Sequence, residues 1–174
     1  MRVWLIIGWL LVGFWGAQAA EPLREFTILA VGDTGFNASL ERVEPDVGRK
    51  RGERITFADA TAGVDALIDG DINFANLETI VTDRNDLDAI PKAFNFRMHP
   101  SGFRHLLSRG FNVFSTANNH AMDFGPGGAA ETLRHLATMP AGQLLAYPGL
   151  GQGRRSAGSA HVIAWEDGRF RRFD

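Results

Sequence analysis

Downstream of residue 25, short apolar runs alternate with segments whose apolar residues recur at helical spacing. Runs typical of buried strands are FTILAVGD (Phe26 to Asp33), INFANLE (Ile72 to Glu78) and NVFSTA (Asn112 to Ala117). Helical spacing predicts helices at Thr61 to Asp71, Pro100 to Phe111 and Pro126 to Met139. This strand–helix alternation predicts an α/β fold, with a largely parallel sheet and flanking helices.

Two further segments complete the predicted domain. The polar stretch from Thr82 to Lys92 is rich in Asp and Asn, which predicts a loop. HVIAW and RFRRF flank the short sequence Glu166 to Gly168, which predicts a β-hairpin near the end of the chain.

The N-terminus has the pattern of a secretory signal peptide. Arg2 precedes the uninterrupted apolar run Val3 to Trp15, and Ala17 to Ala19 form an A-x-A cleavage site. A membrane span needs about 20 apolar residues, and this run is shorter. We therefore expect residues 1–19 to be a signal peptide and the mature protein to be exported, starting at Ala20. A membrane anchor formed by an uncleaved leader is the alternative.

Composition limits the classes of protein and of partner. The chain has 174 residues, 45% of them hydrophobic, which suffices for one domain with its own core. A net charge of −2 gives no basis for a nucleic-acid partner. There is no cysteine, so an exported domain would depend on its core or on a bound metal rather than on disulfides.

Polar side chains follow each of the three predicted strands at its carboxyl end, where such sheets gather functional residues. They are Asp33 after the first strand, Asn76 and Glu78 at the second, and Asn118, Asn119 and His120 after the third. Carboxylate and amide oxygens suit hard divalent cations, and an imidazole adds affinity for Mn, Zn or Fe. Converging carboxylates also repel each other unless a cation neutralises them. The alternative is that Asp33 and Asn119 cap turns and that Glu78 is solvated.

Three segments resemble the N-terminal half of the CapA family of capsule, or poly-gamma-glutamate, synthesis proteins. They are AVGDTGF, DINFANLETIVT and GFNVFSTANNHAMDFGPGGAAETLRHL, and the Asn-Asn-His-x-x-Asp-x-Gly block is the most specific. The resemblance implies one half of a metallophosphoesterase-like α/β/β/α sandwich. It implies Asp33, Glu78 and Asn119 as metal ligands, and Asn76 and Asn118 as supporting residues. His120 would act at the leaving oxygen, and Asp123 would orient His120.

The chain also departs from the family pattern after His120. Complete members continue into a further lobe with a Gly-x-His-x-His type motif, whereas here His135 lies in an ordinary amphipathic helix pattern and His161 stands alone in an apolar run. We therefore expect residues 20–174 to form a domain truncated at the C-terminus that binds a divalent metal weakly. The expected partners are an envelope polymer or phosphoester substrate and a capsule synthesis membrane complex. A non-catalytic accessory subunit and an inactive gene fragment are the alternatives.

Overall fold

The computed structural model describes residues 24–36, 46–50 and 53–173. The expected signal peptide and its cleavage site lie outside these ranges, so export stays a prediction. Within the ranges described, no helix has the length and apolar character needed to cross a bilayer.

A parallel three-stranded sheet forms the centre of the fold. In chain order the strands are β1 (Ile28–Thr34), β2 (Asp46–Lys50), β3 (Glu53–Thr56), β4 (Ile72–Leu77), β5 (Ile80–Val81), β6 (Arg97–Met98), β7 (Val113–Ser115), β8 (Val162–Glu166) and β9 (Arg169–Phe173). The central sheet has the order β1-β4-β7, and both of its pairings are parallel. Asp33 pairs with Asn76, and Asn76 pairs with Ser115, so the three carboxyl ends lie side by side. The predicted α/β fold is confirmed.

Four α-helices accompany these strands within the described residues: α1 (Phe57–Thr61), α2 (Pro100–Ser108), α3 (Gly125–Ala137) and α4 (Arg154–Ala157). The helices predicted from Pro100 and from Pro126 are therefore present, and each has proline in its first turn, where no hydrogen-bonded N–H is needed.

The helix predicted over Thr61 to Asp71 is wrong. A capping box between Thr56 and Asp59 starts α1 earlier, and that helix ends at Thr61. A 3₁₀ turn at Asp65–Leu67 follows instead of a continuous helix. Val64 and Leu67 are 49% and 68% exposed, so the apparent apolar face packs against too little to stabilise a longer helix.

The main core lies between the sheet and the helices that cover it. Along β4, buried and half-buried positions alternate strictly, as expected for the central strand of the sheet. Phe103 of α2 and Phe114 of β7 are fully buried, with ring centroids 4.9 Å apart. Burying each such side chain stabilises the fold by roughly 1.5–3 kcal/mol. The strand ends that carry the polar residues are thus fixed to a packed core.

The predicted hairpin is also present. β8 and β9 pair antiparallel in continuous register from Val162 with Phe173 to Glu166 with Arg169. Asp167 and Gly168 connect the two strands with φ values of 49° and 79°. Two consecutive positive φ values match the tight turn that suits the natural twist of a hairpin.

Candidate functional site

A cleft of about 400 Å³ opens at the carboxyl edge of the central sheet. Asp33 of β1 and Glu78, which directly follows β4, lie in its lining together with Phe96 and His120. Asp33 is exposed, whereas the Glu78 side chain is only 16% exposed. The parallel register therefore brings two predicted metal ligands and the predicted catalytic histidine to one cleft.

The side-chain amide of Asn76 lies between the two carboxylates. Its Nδ2 donates to Asp33 Oδ1 at 2.8 Å and to Glu78 Oε2 at 2.5 Å. Its Oδ1 accepts from Asn118 Nδ2 at 3.1 Å, which fixes the orientation of the amide. Asn76 thus holds both acidic side chains at one point and offsets part of their mutual repulsion.

Asn118 ties the end of β4 to the turn that carries the histidine. Its Nδ2 also donates to the Leu77 carbonyl at 2.8 Å, and its Oδ1 accepts from the backbone N–H of His120 at 3.0 Å. The second contact is a local turn of the kind that asparagine favours. Asn118 and Asn76 thereby connect the segment around His120 to both strands that supply the carboxylates.

The His120 imidazole is held at one ring nitrogen and on one face of the ring. Its Nδ1 lies 2.6 Å from Asp123 Oδ2, so Nδ1 carries the hydrogen that the carboxylate accepts. Its ring stacks on Phe96 with a centroid separation of 3.9 Å and an angle of 10° between the planes. Nε2 is left facing Glu78, 3.9 Å from Oε1. The geometry presents one ring nitrogen to the cleft and fixes the other inside the protein.

Asp123 is a fully buried carboxylate with a complete set of donors. Its side chain is 0% exposed; Lys92 Nζ lies 2.6 Å from Oδ1, and the Phe96 N–H donates to Oδ2 at 2.5 Å. Burial opposes ionisation of this group, but hydrogen bonds from Lys92, His120 and the Phe96 backbone outweigh it and hold the pKa of Asp123 below its ordinary value of 3.8. Asp123 is therefore ionised at neutral pH and accepts hydrogen bonds only.

Asn119 is placed differently from the other predicted ligands. It is exposed, and its side chain is not among those that line the cleft. Its backbone carbonyl joins the site by accepting from Lys92 Nζ at 3.0 Å. Its assignment as a metal ligand stays a prediction.

The sequence interpretation missed Lys92 and Phe96. Both come from the segment between β5 and β6. Lys92 is the last residue of the predicted loop, Phe96 lies beyond it, and neither belongs to a motif. Their partner Asp123 is 31 and 27 positions away, respectively. A local spacing pattern in the sequence cannot indicate a contact between residues so far apart. Lys92 and Phe96 are therefore identified only by the tertiary structure.

A second group of donor atoms was also missed. One carboxylate oxygen each of Asp83 and Glu131 and one ring nitrogen of His135 all lie within 4.8 Å of one another, an arrangement that could hold a metal ion. His135 is buried and was assigned from sequence to an ordinary amphipathic helix. A spacing of four residues on α3 brings Glu131 and His135 together, and that is the sequence signal that could have found the pair.

The guanidinium of Arg134 already lies among these three side chains. Its terminal nitrogen is 3.1 Å from Asp83 Oδ1, 2.7 Å from Glu131 Oε2 and 2.9 Å from His135 Nε2. Burial, together with the nearby charge of Arg134, lowers the pKa of His135, so its ring is neutral at pH 7. Arg134 supplies the positive charge that a metal would bring, and the group joins α3 to the start of the loop that leads to Lys92.

The chain is thus a parallel-sheet α/β domain whose carboxyl edge, where such sheets collect functional residues, gathers two carboxylates and a carboxylate-oriented imidazole. Comparison with known families gives the particular assignment. Residues 27–171 match the family described as bacterial capsule synthesis protein PGA_cap. The match covers most of the chain, so the chain belongs to this family, and the resemblance seen in its motifs is confirmed.

Two curated relatives come from Sinorhizobium fredii (strain NBRC 101917 / NGR234). They bear the names "Uncharacterized protein y4sH" and "Uncharacterized protein y4uA", and each is 28% identical to this chain over 158 residues. The aligned region covers 88% of this chain and 31% of each relative. The chain thus spans about a third of the length of these relatives, whose names state no activity.

Proposed function

We propose that this chain is part of an exported capsule synthesis protein whose cleft binds a divalent cation and a phosphoester belonging to an envelope polymer. The observation that supports this most directly is the convergence of Asp33 and Glu78 on one amide, 2.8 and 2.5 Å from Asn76 Nδ2, beside the His120 ring. Family membership supplies the connection to capsule synthesis. Export rests on the N-terminal pattern, and a capsule synthesis complex at the membrane is the proposed partner.

The residues at the cleft fit a divalent cation. Asp33 and Glu78 offer carboxylate oxygens at one point, and the amide oxygen of Asn119 would come from the neighbouring turn. This donor set, with the imidazole nearby, suits Mn, Zn or Fe. When bound, the cation would neutralise negative charge on the carboxylates and on phosphoryl oxygens.

The chain's own residues would bind and protonate the substrate. His120 presents Nε2 to the cleft, and in its protonated form this atom donates a proton to the leaving oxygen. His120 Nδ1 keeps its hydrogen throughout, because it donates that hydrogen to Asp123 Oδ2 over 2.6 Å inside the protein. Phe96 covers one face of the ring and limits the access of water.

A non-catalytic accessory subunit is the second candidate. The specific observation in its favour is that the cleft brings together Asp33, Glu78 and His120, while the Asn119 side chain lies outside its lining. Without the Asn119 amide, Asp33 and Glu78 are two ligands, which hold a cation weakly and fall short of the three protein ligands of a catalytic metal site. In that case the cleft would bind a cation for assembly and would not bind phosphate.

The thermal midpoint of the purified chain, measured with Mn²⁺ and inorganic phosphate, separates the two candidates. We expect phosphate to raise the midpoint only when Mn²⁺ is present, because the cation must neutralise the carboxylates first. His120→Gln should reduce the phosphate effect and keep the Mn²⁺ effect, whereas His161→Gln, outside the cleft lining, should change neither. A Mn²⁺ effect without any phosphate effect would favour the accessory role. A phosphate effect that does not need Mn²⁺ would contradict the proposal.

A further inference from the structure

Lys92 makes three polar contacts around the His120 ring. Its ammonium nitrogen lies 2.6 Å from Asp123 Oδ1, 3.0 Å from the Asn119 carbonyl oxygen and 3.3 Å from His120 Nδ1. An ammonium group donates hydrogens and cannot accept, so Lys92 donates to the two oxygens. Its contact with Nδ1 is not a hydrogen bond, because Nδ1 carries the hydrogen that Asp123 accepts. The Lys92 side chain is 26% exposed, so most of it is enclosed by these partners.

These contacts leave the Asp123 carboxylate in a single orientation. Oδ1 is held by Lys92, and Oδ2 accepts from both His120 Nδ1 and the Phe96 N–H. A rotation of the carboxylate would break three hydrogen bonds inside the protein, where a lost bond is not replaced by water. The position of Oδ2 keeps the hydrogen on the ring nitrogen that faces Asp123, Nδ1, and leaves Nε2, which faces Glu78, without one.

The segment that carries Lys92 is anchored to the same aspartate through its main chain. The Ile90 N–H donates to the Asp123 carbonyl at 2.8 Å, and Asn95 Nδ2 donates to the Ile90 carbonyl at 3.2 Å. Both the backbone and the side chain of Asp123 therefore receive donors from this segment. An exposed surface ion pair, which contributes little, has none of this support.

The choice of lysine at this position is unusual for this chain. Lys50 and Lys92 are its lysines, and the rest of its 18 basic residues are arginines. A compact ammonium fits between a carboxylate, a carbonyl and the edge of a ring, whereas a planar guanidinium favours forked binding to one carboxylate. The site uses the cation whose geometry matches three converging partners.

We propose that Lys92 is a positioning residue that holds Asp123 in the orientation that keeps Nδ1–H of His120 bonded to Asp123 and Nε2 directed into the cleft. The chemical role of His120 rests on the proposed function. The orientation of its ring rests on the contacts described above and is tested separately from any activity.

The chain contains no cysteine, so Lys92→Cys creates a unique thiol. Alkylation of that thiol with 2-bromoethylamine rebuilds a side chain of nearly lysine length with an ammonium end, whereas iodoacetamide gives a neutral one. Imidazole nitrogens are observed in long-range ¹H–¹⁵N spectra of metal-free protein at about pH 8, above the ordinary imidazole pKa. Among the 5 histidines, His120 is assigned by its loss in His120→Gln.

We expect a single tautomer in the unmodified protein, with hydrogen on His120 Nδ1 and a bare Nε2. Lys92→Cys and its iodoacetamide product should lose this preference and show averaged nitrogen shifts, and 2-bromoethylamine should restore it. Lys92→Gln, which retains one neutral donor, is the second variant should Lys92→Cys fail to fold, and it too should lose the preference. Arg84→Met, which removes a cation from an exposed ion pair in the same loop, should leave the His120 spectrum unchanged.

The proposal would be overturned if His120 kept its tautomer in either folded Lys92 variant. It would also be overturned if iodoacetamide restored the tautomer as well as 2-bromoethylamine does, or if Arg84→Met changed the His120 spectrum as much as the Lys92 variants do. The outcome is independent of phosphate binding. Suppose that the Lys92 variants lose the His120 tautomer while phosphate has no effect on the thermal midpoint of the unmodified protein. Lys92 would then remain a positioning residue, and the proposed function would be rejected. If the Lys92 variants kept the tautomer and phosphate did raise the midpoint of the unmodified protein, the role of Lys92 would be rejected and the proposed function kept.

Discussion

Asp123 is an ionised side chain with 0% exposure, and its stability in the fold depends on its partners. Such a group loses several kcal/mol of hydration, which Lys92, His120 and the Phe96 N–H must offset. The pair of Asp123 with Lys92 therefore differs from the pair of Arg84 with Asp86, whose side chains are 47% and 70% exposed. Removing one partner of the buried pair leaves the other as an uncompensated charge inside the protein, which destabilises the fold.

We expect Asp123→Asn to lower the free energy of unfolding at pH 7 by about 3 kcal/mol, because Lys92 loses its counter-charge. The folded pKa of Asp123 is lowered below 3.8, so its contribution is complete above that value and is lost as pH falls through the folded pKa. The difference between the two proteins should therefore shrink below about pH 4. Urea unfolding at pH 7 and in acid measures it, with the exposed Asp86→Asn as control. If the difference in free energy of unfolding between the unmodified protein and Asp123→Asn grew in acid, Asp123 would not be the ionised, buried partner of Lys92.

At the residue scale, what could be predicted from sequence was the local part of the site. Asn118, His120 and Asp123 lie within six positions, so their turn and hydrogen bonds depend on neighbouring residues that a motif records. Lys92 and Phe96 reach the same site from a loop whose polar composition resembles any solvated loop. Their positions depend on packing between distant segments, for which the sequence has no short-range pattern.

At the scale of elements, α3 must approach β5 closely for its first turns to position the histidine segment. Thr132 Oγ1 accepts from the Val81 N–H at 2.9 Å, which ties the helix to the strand. A Cβ built on Gly128 would lie 2.8 Å from Phe124 Cβ and 3.1 Å from Ile80 Cδ1. Glycine is needed there because α3 contacts its neighbours without room for a methyl group.

Gly127 and Gly128 form a matched pair for testing this contact. Gly128→Ala should destabilise the protein by about 1–3 kcal/mol, because the added methyl group overpacks the interface. Gly127→Ala meets only Leu87 Cδ2 at 3.4 Å, an ordinary contact, and should be neutral or stabilise by up to about 1 kcal/mol through reduced backbone entropy of the unfolded chain. Chemical unfolding of both variants measures the difference. Equal effects would show that helix propensity, not close approach, governs this turn.

The elements themselves were predictable where burial and sequence pattern agree. β4 and β7 coincide with apolar runs that are buried or half-buried, and α2 and α3 with apolar residues at helical spacing. β1 also coincides with an apolar run, but five of its seven residues are exposed, so its predicted burial is wrong. Thr61 to Asp71 shows the opposite case, since its spacing is helical but Val64 and Leu67 remain exposed. Helical spacing predicts a helix only when another element covers the apolar face, and that information is tertiary.

At the scale of the whole molecule, the cleft is assembled from four separate parts of the chain. β1 supplies Asp33, the end of β4 supplies Glu78, the turn before α3 supplies His120, and the loop between β5 and β6 supplies Phe96. A cation bound by Asp33 and Glu78 would connect two strands and would exist only in the folded state. Cation binding should therefore appear as added stability of the entire domain.

The most direct test of the account is the thermal midpoint of the chain titrated with Mn²⁺, compared with Glu78→Gln and with Glu166→Gln, which alters an exposed glutamate on β8. Mn²⁺ at about 100 times its dissociation constant should add about 2.7 kcal/mol, and each kcal/mol raises the midpoint by about 2–4 °C. We predict this rise in the unmodified chain and in Glu166→Gln, and its loss in Glu78→Gln. An equal rise in all three proteins, or none in any, would contradict a cation site at Asp33 and Glu78.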